Sequence, residues 1–126
     1  AGVTVAGSLT FEANHLGVLP AGSFSGLTVR DLRLRNADVS GIDAGAFAGA
    51  TITRTLYLEG NAITTLVSGA LSGLDIGQDL MLYNSQVQVI EAGALANTVV
   101  GHYLLLTGNA IGAIPSGACT NLRVGG

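Results

Sequence analysis

Residues 56–63 read LYLEGNAI and residues 104–111 read LLLTGNAI, so nearly the same eight letters recur 48 positions apart. Weaker copies begin at residue 80 (LMLYNSQV), residue 32 (LRLRNADV) and residue 9 (LTFEANHL), which places one copy at every 23rd or 24th position. A fixed period of this length is typical of a repeat protein whose units stack. We divide the single domain, 1–126, into five repeats at about 5–27, 28–50, 51–74, 75–98 and 99–122.

Each copy begins with two large apolar residues that are two positions apart. These pairs are Leu9/Phe11, Leu32/Leu34, Leu56/Leu58, Leu80/Leu82 and Leu104/Leu106. Period-two alternation over so few residues predicts a short, half-buried strand in every repeat. No single unit of this length can bury its own leucines, so the pattern predicts that neighbouring units stack to form one continuous core.

Each repeat closes on a small residue that tolerates a positive φ angle. The column contains Gly26, Gly49, Gly73, Asn97 and Asn121. We therefore expect a left-handed residue that ends a short helical turn. Cys119 occupies the column of Phe24 and Phe47, which predicts a small buried hydrophobic residue rather than a nucleophile.

The repeated pattern L-x-L-x-x-N-x-[LI]-x-x-[LI]-x-x-G-x-F resembles the leucine-rich repeat family, in its common extracellular-type length. The resemblance covers essentially the whole chain. It implies an α/β solenoid, a right-handed coil with one short strand per turn, a concave parallel sheet, and short helical or irregular convex turns. It further implies a non-enzymatic protein that binds a protein or peptide, in an extracellular or cell-surface location.

Members of this family use an asparagine ladder, in which each side chain bonds the backbone of the adjoining turn. The matching residues are Asn14, Asn61 and Asn109, whereas repeats two and four have Ala37 and Ser85 there and place Asn36 and Asn84 one residue earlier. The copied element is therefore a pair of repeats. Because Ala37 has no side-chain polar group, we expect a bound water or a shifted loop beside it.

The ends of the coil have no cysteine-stapled caps of the kind that family members often carry, since Cys119 is the single cysteine. Uncapped ends expose apolar faces and strand edges. We therefore expect either a fragment of a longer chain or a second chain that covers an end. Self-association through the ends is one form of the second case.

Composition and motifs argue against several classes of function. The chain has no lysine, five arginines and a net charge of −3, which disfavours nucleic acid as a partner. Residues 92–122 contain no charged side chain, but they continue the repeat through asparagines, glycines and Pro115, so we expect no membrane span. His15 and His102 lie four turns apart, about 19 Å at strand spacing, too far to share a metal. We expect no enzymatic activity and no cofactor, because no phosphate loop or nucleophile motif is present.

The outward strand positions hold the candidate partner-binding residues. They include all three tyrosines and the only methionine: Arg33, Arg35, Tyr57, Met81, Tyr83, Tyr103 and Leu105. Exposed apolar and aromatic patches mark interaction surfaces, and tyrosine and arginine are frequent in binding hot spots. Two alternatives remain: the tyrosines only cover the sheet by packing across strands, or the chain is a structural, self-assembling module. An ice-binding solenoid would need a uniform threonine column, which is missing.

The predicted register is testable by truncating a core position in the middle repeat. Replacing Leu58 or Ile63 with Ala should lower the free energy of unfolding by roughly 2–5 kcal/mol, because each change leaves a cavity in a central turn. Chemical denaturation of the two variants measures this loss. A near-neutral result would mean that the register is wrong.

Overall fold

The computed structural model describes residues 3–12, 15–112, 114–118 and 122–125, and these residues form a parallel β-solenoid of about five turns. The described residues contain thirteen strands and no helix. The strands are β1 (Thr4–Thr10), β2 (Gly17–Leu19), β3 (Thr28–Arg33), β4 (Val39–Ile42), β5 (Thr51–Ile52), β6 (Leu56–Tyr57), β7 (Thr65–Leu66), β8 (Asp75–Ile76), β9 (Leu80–Met81), β10 (Val89–Ile90), β11 (Val99–Val100), β12 (Leu104–Leu105) and β13 (Arg123–Val124).

One parallel sheet contains nine of the strands found in the described residues, in the order β12-β9-β6-β3-β5-β8-β11-β13, with β1 paired to β3. Its first row is the predicted leucine column: Leu9, Leu32, Leu56, Leu80 and Leu104 stand opposite one another in successive turns. The parallel sheet and the ~24-residue spacing of its turns are therefore confirmed.

A second row of the same sheet was not predicted. It pairs Val5, Val29, Ile52, Ile76, Val100 and Val124. The strand β3 belongs to both rows, whereas later turns divide the same length of chain into two short strands. The sequence does contain this row as an apolar column with the period of the repeat. The strand prediction missed it because the column lies outside the L-x-L pattern.

A sharp corner separates the two rows in the later turns. A Cβ atom placed on Gly77 would lie 2.1 Å from the carbonyl oxygen of Thr53, and one on Gly101 would lie 2.0 Å from that of Gly77. Real Cβ atoms do not approach backbone oxygens this closely. The corner therefore requires glycine, because successive turns come into backbone contact there.

Of the two alternatives for the convex turns, helical or irregular, the helical one is wrong for the described residues, and with it the α/β class, because these residues hold strands and turns only. In the segment after β2, the amides of Gly22 and Phe24 donate to carbonyls of the next turn at 3.2 and 2.8 Å. The amide of Ser23, which lies between them, donates to the carbonyl of Pro20 in its own turn. Alternate amides thus bond between turns, and Gly22 has a φ of +81°, which no right-handed helix accepts.

The residues that close the first four repeats have the predicted left-handed conformation. Gly26, Gly49, Gly73 and Asn97 have φ angles between 58° and 74°. Asn14, Cys119 and Asn121 lie outside the described residues.

No helix in the described part of the chain has the length and apolar character needed to cross a membrane.

The core is a continuous column of aliphatic side chains inside the coil. Leu58 and Ile63 are fully buried, in agreement with the predicted register. Towards the first turn, phenylalanines replace the leucines: Phe24 stacks on Phe47 at 5.3 Å between ring centroids and meets Phe11 edge-on at 6.0 Å.

Asn61 joins two turns of the coil at the inside corner after the leucine row. Its Oδ1 accepts hydrogen bonds from the amides of Ala37 and Val39, both at 3.0 Å. Its Nδ2 donates to the carbonyl oxygens of Leu34 and Leu58, at 2.9 and 2.8 Å. The amides of Ala37 and Val39 therefore need no bound water, because the asparagine of the next turn satisfies them. The loop beside Ala37 does differ from that of the odd turns, since Asp38 has a φ of 52°.

Asn109 repeats this arrangement two turns later. It accepts from the amides of Ser85 and Val87 and donates to the carbonyls of Leu82 and Leu106. Ser85 adds one bond, from its Oγ to the carbonyl of Leu58 at 2.6 Å. One asparagine thus serves an even turn and an odd turn together, which is why the sequence copies a pair of repeats.

The residue before the ladder position alternates for a steric reason. Asn36 has a φ of 51°, and Gly60 has a φ of 74° at the same place in the next turn. A Cβ atom on Gly60 would lie 2.0 Å from the Asn36 Oδ1, and one on Gly108 would lie 1.8 Å from the Asn84 Oδ1. The asparagine side chain of each even turn therefore occupies the space that only glycine leaves in the following turn.

Removing the Asn61 side chain should destabilise the coil far more than removing one hydroxyl from the same column. Asn61→Ala leaves two amides and two carbonyls without this partner in a buried corner, so we expect a loss of at least about 3 kcal/mol of unfolding free energy. Ser85→Ala is the matched control, with an expected loss of about 1 kcal/mol. Urea denaturation measures both, and equal losses would show that the corner does not depend on the asparagine.

Candidate binding face

The sheet brings four of the predicted binding residues into one row. Arg33 stands opposite Tyr57, Tyr57 opposite Met81, and Met81 opposite Leu105, in four successive turns. Neighbouring strands lie about 4.8 Å apart, so the row extends for about 14 Å along the coil. We name this row and its outward neighbours the sheet face: Glu12, Asp31, Arg33, Arg35, Tyr57, Glu59, Asp79, Met81, Tyr83, Tyr103 and Leu105.

Tyr57 lies against two guanidinium groups. The Cζ atoms of Arg33 and Arg35 are 5.0 and 5.2 Å from the centroid of its ring. Both distances are within the range of cation–π attraction. The tyrosine therefore holds two arginine side chains in position and is itself half-buried.

Arg35 is neutralised within the chain. Its Nε donates to the Glu12 Oε1 at 2.8 Å, and its Nη1 lies 3.9 Å from the Glu59 Oε2. The hydrogen bond to Glu12 raises the pKa of Arg35 above its ordinary value. Arg35 is thus an ion-pair partner, with little positive charge left for an external ligand.

Glu59 is buried beneath this network, with 8% of its surface exposed. The Tyr83 hydroxyl donates to its Oε2 at 3.4 Å, and its Oε1 has no hydrogen-bond partner among the described residues. This charged side chain of the sheet face is therefore not solvated, although it lies on the outward side of its strand. The residues of neighbouring turns cover the carboxylate, since Arg35 and Tyr83 flank it from either side.

Arg33 differs from Arg35 in its ionic surroundings. The described residues give it the contact with Tyr57 but no acidic partner within ion-pair distance. Its side chain is also only half-buried. Arg33 is therefore the arginine of this row whose N–H groups remain open to a ligand.

Asp31 is a second buried acid, with 2% of its surface exposed. It accepts from the Ser8 hydroxyl at 3.1 Å and from the Thr55 amide at 3.3 Å, and Arg30 and Arg54 lie 3.5 and 3.9 Å away. Alternation predicted an exposed side chain at this position. The carboxylate is buried instead because it bonds a backbone amide of the next turn.

Asp79 repeats this contact two turns later. Its Oδ1 accepts from the Tyr103 amide at 3.0 Å and lies 3.2 Å from the His102 Nδ1. Tyr103 is 48% exposed and packs on the His102 ring, with 3.8 Å between centroids. His15 pairs separately with Asp38 at the first turn.

The described residues offer no group of three or more His, Cys, Asp and Glu side chains that could hold a metal ion. The polarity of the sheet face changes along the coil. Most of the charged side chains lie in the first three turns, whereas half-buried Met81 and Leu105 and exposed Tyr103 lie in the last two, together with Asp79. The face thus combines polar and apolar side chains on one side of the sheet.

The first-turn end of the coil is also open. A cleft of about 250 Å³ lies there, and its apolar lining comes from Val3, Leu9, Phe24 and Leu27. Within the described residues, β1 pairs only with β3, so its outer edge is unpaired.

The chain matches no protein-family model, no curated protein and no solved structure.

Proposed function

We propose that this chain is a non-enzymatic recognition module that binds a protein or peptide through the sheet face. The observation that carries the proposal is the row from Arg33 to Leu105, in which a free cation, an aromatic ring and two apolar side chains stand in register on one side of the sheet. Apolar groups held at such positions favour a partner that removes them from water. The predicted site residues Tyr83 and Tyr103 flank this row.

We also propose that the chain is a leucine-rich repeat protein, from an extracellular or cell-surface location. The support is the side-chain chemistry of the inside corner, where Asn61 and Asn109 bond the backbone of adjoining turns as the family's ladder does. The leucine row in front of this corner has the spacing that the family pattern requires.

Alanine variants of Tyr57 and Tyr83 test whether the sheet face binds a partner or whether its tyrosines only cover the sheet. A phage-displayed library of random peptides, selected on the native chain, provides the ligands. Tyr57→Ala and Tyr83→Ala should each weaken the selected peptides by at least about 2 kcal/mol, as truncation of a desolvated hot-spot tyrosine does. The melting temperature should change much less, since both side chains lie on the solvent side of the sheet.

Val89→Ala is the matched control, because Val89 is exposed on β10, away from the sheet face. Its affinity for the peptides should equal that of the native chain. Lost stability with unchanged binding in the tyrosine variants would show that the tyrosines only cover the sheet. Peptides that bind all variants equally would place the interaction elsewhere.

A structural, self-assembling solenoid is the second candidate function. The observation in its favour is the first-turn end, where an apolar cleft and the unpaired edge of β1 lie together. An unpaired edge strand of seven residues without a charge is a template for pairing with another chain. A second copy of this chain would cover it by continuing the coil.

Self-assembly should appear as a mass that rises with concentration. Light scattering after size exclusion measures it, and Val3→Asp should abolish it, because Val3 is 58% exposed at the rim of the cleft. Val89→Asp adds the same charge at an exposed position on β10, in the fourth turn, and should leave association unchanged. A monomer throughout the micromolar range would contradict this candidate.

A further inference from the structure

We propose that the partner of the sheet face is an extended peptide segment with an acidic side chain that binds Arg33 and an apolar side chain, about four positions away, that packs on Met81 and Leu105. This inference rests on the proposed recognition function and names the chemistry of its ligand. Its basis is the difference between Arg33 and the other arginines of the same turns.

The sign of the charge offered by this part of the chain is positive. Four of the five arginines lie at positions 30, 33, 35 and 54, whereas the chain as a whole has a net charge of −3. The acids among them are engaged within the chain: Asp31 and Glu59 are buried, and Glu12 is bonded to Arg35. On the first three turns of the sheet face a basic partner would find no open carboxylate among the described residues, but an acidic partner would find Arg33.

The guanidinium of Arg33 is already held in place for such a contact. Its Cζ lies 5.0 Å from the centroid of the Tyr57 ring, within the range of cation–π attraction, and this contact uses no N–H···O hydrogen bond. The N–H groups at its edge have no acid to bind in the described residues. A carboxylate matches this planar fork with two parallel hydrogen bonds, and a side chain that is already ordered loses less entropy when it binds.

The length of the row sets the spacing within the ligand. Met81 and Leu105 stand two and three turns beyond Arg33, which is about 10 and 14 Å at strand spacing. An extended peptide rises about 3.3 Å per residue, and side chains four positions apart point to the same side at about 13 Å. An acidic residue over Arg33 therefore places an apolar residue of the same peptide between Met81 and Leu105.

The random-peptide selection tests this chemistry through the sequences that it enriches. Selection on the native chain should enrich one Asp or Glu together with an apolar or aromatic residue about four positions away. Arg33→Gln should weaken an enriched synthetic peptide about tenfold or more, and the loss should be much smaller when the acid of that peptide is replaced by its amide. Arg33→Lys should show an intermediate affinity, because it keeps the charge and loses the fork.

Arg123→Gln is the control, since it removes the same charge from an exposed strand at the other end of the chain. Its affinity for the enriched peptide should equal that of the native chain. Peptides that require Tyr57 and Tyr83 but show no acid, and bind Arg33→Gln normally, would overturn the acidic ligand and leave the recognition function standing. Peptides insensitive to every sheet-face variant, or an empty selection, would overturn both.

Discussion

The coil depends on the hydrogen bonds that one asparagine side chain makes to two turns at once. Inside a solenoid of leucines, the backbone must turn a corner where its amides and carbonyls have no strand partner. A buried polar group without a partner costs about 1–3 kcal/mol, so these groups must be bonded. Asn61 and Asn109 each join two amides and two carbonyls, and they lie two turns apart. The structural unit of the coil is therefore a pair of turns rather than a single repeat.

The same pairing appears on the outer side of the sheet, in the opposite direction. Asp31 and Asp79, on even turns, accept from the amides of Thr55 and Tyr103 on the following odd turns. The asparagines of odd turns bond to the backbone of the preceding turn, and the aspartates of even turns bond to the backbone of the following turn. The steric fit of Asn36 over Gly60 adds a third link with the same period. Together these contacts fix the register that sets Arg33, Tyr57, Met81 and Leu105 in one row.

Most of the candidate site was accessible to sequence reasoning, but its electrostatics were not. The period of the repeat places the tyrosines, Met81 and the arginines on one face, because equivalent positions stack. Arg33 and Arg35 look equivalent in the sequence, two positions apart on neighbouring outward sites. They differ because Arg35 stands between Glu12 and Glu59 of adjacent turns, whereas Arg33 stands between the uncharged residues Thr10 and Tyr57. Glu12, Arg35 and Glu59 are spaced one repeat apart in the sequence, and that spacing was the signal that could have shown this.

The sequence by itself determined the coil, its period, the leucine row and the left-handed residues at Gly26, Gly49, Gly73 and Asn97, because stacking of equal units follows from repeated apolar columns. Only the tertiary structure decided where the backbone hydrogen bonds go. Alternate amides of the outer segments bond to the next turn, so those segments are turns instead of helices. Likewise Asp31 and Glu59 are buried at positions that alternation alone predicts to be exposed. In both cases the partner belongs to an adjacent turn, one full repeat away along the chain, and local propensity contains no information about it.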